Sequence, residues 1–239
     1  MENNIILLSV IIPVYNEEST LERLLEKVIS LQPANGTAKE IIIVNDCSSD
    51  RSEDIAKEVI ARHPDACIRY LRHDVNSGKG MAIRTGLQSA TGDYVVIQDA
   101  DLEYEPQDLN MLLNYLISNG RKVVYGSRFL NPANKHSYYG FYLGGRLVSL
   151  CTNILYGQRL TDEPTCYKML ETGLLKSLSL QCTGFEFCPE VTAKVARLGY
   201  KIDELPICYY PRTIVEGKKI KWHDGVKAIW VLLKYRFIK

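Results

Sequence analysis

Short apolar runs alternate with stretches whose apolar positions recur every three or four residues, the sequence habit of βαβ units around a parallel sheet. Leu7 to Ile12 reads as a buried strand, and Leu21, Leu24, Leu25 and Val28 fall on one face of a helix from about Glu17 to Leu31. Glu40 to Val44 is the next strand, Asp50 to Arg62 a helix, and Ile68 to Leu71 a short strand. Asn76-Ser77-Gly78-Lys79-Gly80 leads into a helix ending near Ala90, and Thr91-Gly92-Asp93 turns the chain into a fully apolar strand from Tyr94 to Ile97. A helix from about Pro106 to Ser118 and a strand from Lys122 to Tyr125 follow.

The second half is less regular. It holds an aromatic-rich helical stretch from Tyr138 to Leu155, a strand near Tyr167, a helix from about Phe187 to Leu198 and a strand from Lys201 to Tyr209. Pro211 opens a basic loop, and Asp224 to Phe237 has helical spacing. With no internal repeat or low-complexity tract, the pattern predicts one compact α/β domain.

Composition narrows the choice of chemistry. The chain has 239 residues, 46% apolar and 24% charged, which suits a globular core. A formal net charge of +1 carries no field for nucleic acid, so that partner is not expected. Seven cysteines without a Cys-x-x-Cys pair and four scattered histidines imply neither a disulfide framework nor a zinc site, and a reducing cytosol is the simplest compartment. The apolar start lacks a basic leader and a cleavage site, and no run of about 20 apolar residues occurs, so no span is expected.

In open parallel sheets ligands bind at the carboxyl ends of the strands, and polar residues collect there. Pro13-Val14-Tyr15-Asn16-Glu17 follows the first strand, Asn45-Asp46-Cys47-Ser48-Ser49-Asp50 the second, and Asp99-Ala100-Asp101 the Tyr94 strand, so all three face one crevice. Asp99 and Asp101 are the sharpest pair. Two carboxylates one residue apart beyond a buried strand repel each other unless a dication lies between them, and Mg²⁺ or Mn²⁺ suits oxygen ligands that also bridge to a diphosphate. Glu103 is a third ligand or a supporting partner. A helix cap or a solvated turn is the competing reading. Asn76-Ser77-Gly78-Lys79-Gly80 lacks P-loop spacing and reads either as a helix start or as a loop that brings Lys79 to phosphates.

These ordered segments carry a resemblance. Ser9-Val10-Ile11-Ile12-Pro13-Val14-Tyr15-Asn16-Glu17-Glu18, Ile43-Val44-Asn45-Asp46 with Ser48 and Asp50, and Gly92-Asp93 with Asp99-Ala100-Asp101 resemble family 2 glycosyltransferases of the GT-A fold. Tyr125-Gly126-Ser127-Arg128-Phe129 and Gly184-Phe185-Glu186-Phe187 resemble the branch that glycosylates polyprenyl phosphates, which includes dolichyl-phosphate mannose synthase. The likeness runs from about Leu8 to Arg212 and implies a Rossmann-like, mostly parallel twisted sheet flanked by helices. It implies that Pro13, Tyr15 and Glu17 line a nucleoside pocket, that Asp46 reads the base or ribose, and that Asp99 and Asp101 hold the metal on the donor diphosphate. Two departures stand out: Cys47 sits where the family usually has glycine, and Thr165-Cys166-Tyr167-Lys168 replaces a glycine-containing stretch.

A phosphomonoester is largely a dianion at neutral pH and needs no general base, but it needs cations to approach a diphosphate. Arg128 and Arg146 are the candidates. Arg212, with Lys218 and Lys219 beyond it, resembles a mobile basic loop that closes over the donor. Glu186 and Asp162 are the acids expected near the sugar, Glu186 in sugar binding or in support of the arginines. From Glu216 to Lys239 seven basic residues face two acids, and Trp222, Val226, Ile229, Trp230, Leu233 and Phe237 share one helical face. That stripe either lies on a membrane surface or packs on the domain. Tyr138, Tyr139, Phe141 and Tyr142 form a second candidate surface.

The sequence therefore predicts a glycosyltransferase domain over residues 1–215 and a basic amphipathic helix over 216–239, on the cytoplasmic face of a membrane. The expected reaction moves one sugar, with inversion, from a UDP- or GDP-linked donor to a polyprenyl phosphate with Mg²⁺ or Mn²⁺. A transferase acting on a sugar hydroxyl, with a base such as Glu186, is the alternative; a non-catalytic nucleotide-sugar binder is a third. Whether a membrane protein is also a partner stays open.

Overall fold

The computed structural model describes residues 5–33, 36–135, 139–212 and 222–238, without the side chains of Tyr139 and Trp222. Seven strands form one sheet: β1 (Leu7–Val14), β2 (Ala38–Asn45), β3 (Ile68–Arg72), β4 (Tyr94–Ile97), β5 (Val123–Ser127), β6 (Lys168–Glu171) and β7 (Asp203–Pro206). Their order is β3-β2-β1-β4-β6-β5-β7. The expected parallel pairs form, with Ile11 opposite Ile42 on one side and Ile97 on the other. β6 alone runs antiparallel, between β4 and β5.

β1 and β2 are apolar on both faces because helices cover both, and Val10, Ile11, Ile12, Ile42, Ile43 and Val44 are all buried. Among the described residues the helices are α1 (Leu21–Ser30), α2 (Ser52–Arg62), α3 (Lys79–Ser89), α4 (Asp108–Asn119), α5 (Tyr139–Tyr156), α6 (Thr172–Ser177), α7 (Phe187–Arg197) and α8 (Trp222–Phe237). Leu21, Leu24, Leu25 and Val28 form the buried face of α1, as their spacing predicts. The short α6 has no counterpart in the sequence reading. The strand expected from Lys201 to Tyr209 contracts to β7, which ends at Pro206, a residue with no N–H for the ladder.

α8 docks on α5 and α7 through Ala228, Val231, Leu232 and Tyr235, which pack with Val148 and Ala193. Tyr156 donates to the Leu232 carbonyl at 2.6 Å, and Tyr235 to Glu190 Oε1 at 2.7 Å. The face that packs is not the stripe singled out from the sequence. Val226, Trp230, Leu233 and Phe237 point to solvent, Trp230 being 63% and Phe237 75% exposed, while Ile229 is half-buried. On α5, Leu143, Leu147, Leu150 and Ile154 are exposed with the same spacing. Each of the two packed helices thus presents an exposed apolar row. Phe141 and Tyr142 of the second candidate surface are half-buried and line the cavity described below; Tyr138 lies outside the described residues. No helix among the described residues is long and apolar enough to cross a membrane.

Candidate active site

The carboxyl ends of β1, β2 and β4 open into a cavity of about 1050 Å³. Pro13, Tyr15, Glu17, Asp46, Lys79, Asp99, Asp101, Glu103, Arg128 and Arg212 all line it. Among the described residues three expected ones, Glu186, Arg146 and Asp162, do not join them. Glu186 caps its own turn, its Oε1 accepting from Gly184 N at 3.2 Å, and neither lines the cavity nor pairs with an arginine. Arg146 is exposed; it donates to the Thr161 carbonyl at 3.1 Å and lies 5.5 Å from the centre of the Phe129 ring that lines the cavity. Lys218 and Lys219 lie outside the described residues.

Strand-end loops hold the β1 and β2 side of the site. Ser48 Oγ accepts from Asn16 N at 3.0 Å and Asp50 Oδ2 from Glu18 N at 3.0 Å, so those motif residues tie the two loops together. Cys47 adopts the left-handed conformation (φ 60) that glycine takes without strain, so the departure noted in the sequence leaves that backbone geometry in place. Asp46 accepts from Ser77 N at 2.8 Å and Gly78 N at 2.7 Å, and its Oδ1 lies 2.7 Å from His73 Nδ1. A carboxylate offers about four lone-pair sites, so one remains for a ligand. His73, whose Nε2 lies 2.9 Å from Thr85 Oγ1, is a supporting residue that no sequence motif marked.

The loop before α3 is clamped. Gly78 has φ 94, and a Cβ there would lie 2.4 Å from the Thr183 carbonyl oxygen; one on Gly80 would lie 2.7 Å from that of Cys182. Only glycine lets this loop press against the 182–184 backbone. That contact fixes Lys79, whose ammonium reaches Asp99 at 2.6 Å and lies 5.5 Å from the Phe185 ring centre. Burial favours the neutral amine, but the Asp99 carboxylate outweighs it and holds Lys79 above the ordinary lysine range.

Among the described residues no ammonium pairs with Asp101 as Lys79 does with Asp99. Burial, then the charges of Asp99 and Glu103, push its carboxyl up to about 7. Leu102 between the two acids takes a left-handed φ of 61, a strained geometry typical of functional turns. Glu103 is committed elsewhere: Oε1 accepts from Arg212 N at 2.7 Å and Oε2 from the Tyr209 hydroxyl at 3.1 Å. Among the described residues no cluster of three or more acidic, cysteine or histidine side chains has metal-site geometry. Asp99 and Asp101 remain as an acidic pair whose mutual repulsion a dication would relieve, with further oxygens from a substrate. Arg212 crosses this edge, donating to the Asp101 carbonyl at 2.7 Å and to Glu17 Oε2 at 2.8 Å.

Asp162 is buried under Arg128, which lines the same cavity. It takes the Nε and an Nη2 hydrogen of the guanidinium at 2.7 Å each, a bidentate fork, and the Arg128 backbone N–H at 2.9 Å. Tyr209 lies 5.1 Å from that guanidinium. Support for the arginine thus comes from Asp162, not from Glu186. Glu204 in turn pins the Asp162 loop by accepting from Thr161 N at 2.6 Å and Asp162 N at 2.9 Å.

The profile described as Glycosyl transferase family 2 matches residues 9–176. The chain belongs to glycosyltransferase family 2. Its α/β sheet is that of the GT-A fold, and it superposes on glucosyl-3-phosphoglycerate synthase from Mycobacterium tuberculosis with a TM-score of 0.70 and 21% identity, covering 98% of this chain and 80% of that one. A curated relative, dolichyl-phosphate beta-glucosyltransferase ALG5A of Trichomonas vaginalis, is 28% identical over 239 residues, covering 95% of this chain and 72% of its own. A dolichol-phosphate mannosyltransferase of Pyrococcus furiosus is 29% identical over 217 residues (88% of this chain), and an undecaprenyl-phosphate 4-deoxy-4-formamido-L-arabinose transferase of Pectobacterium atrosepticum is 31% identical over 198 (82%). This family 2 chain spans 58% of the length of each of the last two.

Proposed function

We propose that the chain transfers one sugar, with inversion, from a nucleoside-diphosphate sugar to the phosphate of a polyprenyl phosphate. The observation that carries this reading is that Asp99, Asp101, Lys79 and Arg128 line one cavity together with Pro13, Tyr15 and Asp46. The same cavity reaches Gly145 of α5 and Ala228 of α8, behind the two exposed apolar rows.

The nucleoside lies at Pro13, Tyr15 and Asp46, and Lys79 and Arg212 meet the diphosphate. Asp99 and Asp101 are the residues that would hold a Mg²⁺ or Mn²⁺ ion, which supplies charge neutralisation for the departing diphosphate; the M. tuberculosis neighbour was solved with Mn²⁺ and UDP. Arg128, with Arg146 beyond the Phe129 ring, draws the acceptor phosphate to the face of the sugar opposite the diphosphate. The phosphate dianion attacks without a general base. The names of the Trichomonas, Pyrococcus and Pectobacterium relatives support a lipid-phosphate acceptor. The hydroxyl-directed alternative loses support because Glu186, its expected base, stands outside the cavity.

The apolar rows of α5 and α8, with Lys227 and Arg236 exposed beside them, would rest on an anionic membrane surface and bring the site to the lipid headgroup. Incubation with Mn²⁺, a panel of UDP- and GDP-sugars and a short polyprenyl phosphate, followed by mass spectrometry, tests the proposal. A lipid-linked monosaccharide is expected, and nucleotide-sugar turnover with no lipid product overturns it.

A further inference from the structure

Three consecutive residues before β6 each meet a different cation. The Thr161 carbonyl takes Arg146, the Asp162 carboxylate takes Arg128, and Glu163 takes Lys168, whose Nζ donates to the Glu163 carbonyl and lies 3.5 Å from Oε1. The Thr192 hydroxyl of α7 donates to the same Oε1 at 2.8 Å, and Glu163 N donates to Ser149 Oγ of α5 at 2.9 Å. One carboxylate oxygen is therefore fixed and countercharged. The other, Oε2, is buried with no hydrogen-bond partner. Folded proteins rarely leave a carboxylate oxygen dry and undonated, and such an atom beside a cavity marks a place for a ligand donor.

Glu163 lines the large cavity. The wall around it is formed by Gly145, Pro164, Cys166, Cys188 and Pro189, and Cys166 stands next to Asp99. This wall offers almost nothing polar. A bound nucleoside belongs at the β1 and β2 end, and an acceptor phosphate is repelled by a carboxylate and drawn to Arg128. The substrate parts left for this wall are the neutral sugar and the polyprenyl chain of the acceptor, and of the two only the sugar carries O–H donors for Oε2. We propose that Glu163 is a specificity-determining residue whose Oε2 accepts a hydrogen bond from a hydroxyl of the sugar being transferred. The assignment rests on the donor reading given above, and Thr192 is its positioning residue.

Calorimetric titration in Mn²⁺ with UDP-glucose and GDP-mannose, against UDP and GDP as sugar-free controls, tests it without turnover. In Glu163→Gln the amide oxygen can still accept from Thr192. The affinity gained from the attached sugar should fall about 10-fold or more, while the bare nucleotides bind within about 2-fold of wild type. Thr192→Val, which frees Oε1 and alters nothing that lines the cavity, should lower the same ratio by a smaller factor and carries the test if Glu163→Gln does not fold. An unchanged ratio in the variants, or an equal loss for bare nucleotides, overturns the assignment. Wild-type binding of UDP or GDP with no gain from the sugar overturns it alone, whereas no nucleotide binding at all overturns the donor reading and the assignment with it.

Discussion

The Lys79 ammonium lies 2.6 Å from one oxygen of the Asp99 carboxylate and 2.8 Å from the other. Both oxygens of a residue proposed to hold a dication are thus engaged by an internal cation. Lys79 competes with a metal until the diphosphate offers it a better partner. Lys79→Gln should tighten nucleotide-free Mn²⁺ binding by about 10-fold, read by electron paramagnetic resonance, and raise the KM for the donor by a similar factor. Weaker Mn²⁺ binding in the variant would contradict this role.

Asp101 gives a pH dependence of definite sign. Its carboxyl titrates near 7 in the fold against about 4 in an unfolded chain, so the folded form carries the extra proton between those values. Stability without metal therefore falls as pH rises from about 4 to about 7, and the penalty is complete above that. Asp101→Asn removes it and should stabilise the metal-free chain at pH 8 by roughly 2–4 kcal/mol, with no gain below pH 4. The same variant should lose nearly all transfer. Thermal melts at the two pH values, with and without Mn²⁺, check the sign.

Arg128 and Asp162 behave as one unit. Arg128→Ala leaves a buried carboxylate without its cation and should cost about 3–5 kcal/mol of stability. The double change with Asp162→Asn should regain most of that stability and none of the transfer. Chemical unfolding alongside acceptor kinetics separates the two effects.

The exposed rows predict membrane dependence. Replacing Leu147, Ile154, Val226 and Trp230 together by serine should weaken sedimentation with anionic vesicles by about 10-fold or more, while turnover of a short, water-soluble acceptor stays within about 2-fold. These side chains are exposed and their helices pack through other residues, so a large loss of melting temperature is not expected.

Much of the fold was legible because β1, β2 and β4 are buried on both faces and α1 on one, which leaves a clear period in the sequence. The antiparallel β6 was not, since a four-residue strand starting with a lysine carries no direction signal. α8 shows what periodicity leaves open. Both its faces are apolar, and the smaller set, Ala228 and Val231 with Leu232 and Tyr235, won the contact with α5 and α7 because it allows close approach. In the site, the strand-end acids and Lys79 stood out by position. Asp162 needed the structure to find its partner 34 residues away, and Glu163 had no motif at all; only its orphaned oxygen marks it.

The most direct measurement is a paired transfer assay in which one donor and Mn²⁺ are offered a polyprenyl phosphate or the polyprenol of the same length. The account predicts sugar on the phosphate lipid alone, abolished by Asp101→Asn. Transfer to the alcohol at a comparable rate would contradict it, since the Arg128 guanidinium attracts an anionic acceptor and cannot take a proton from a neutral one.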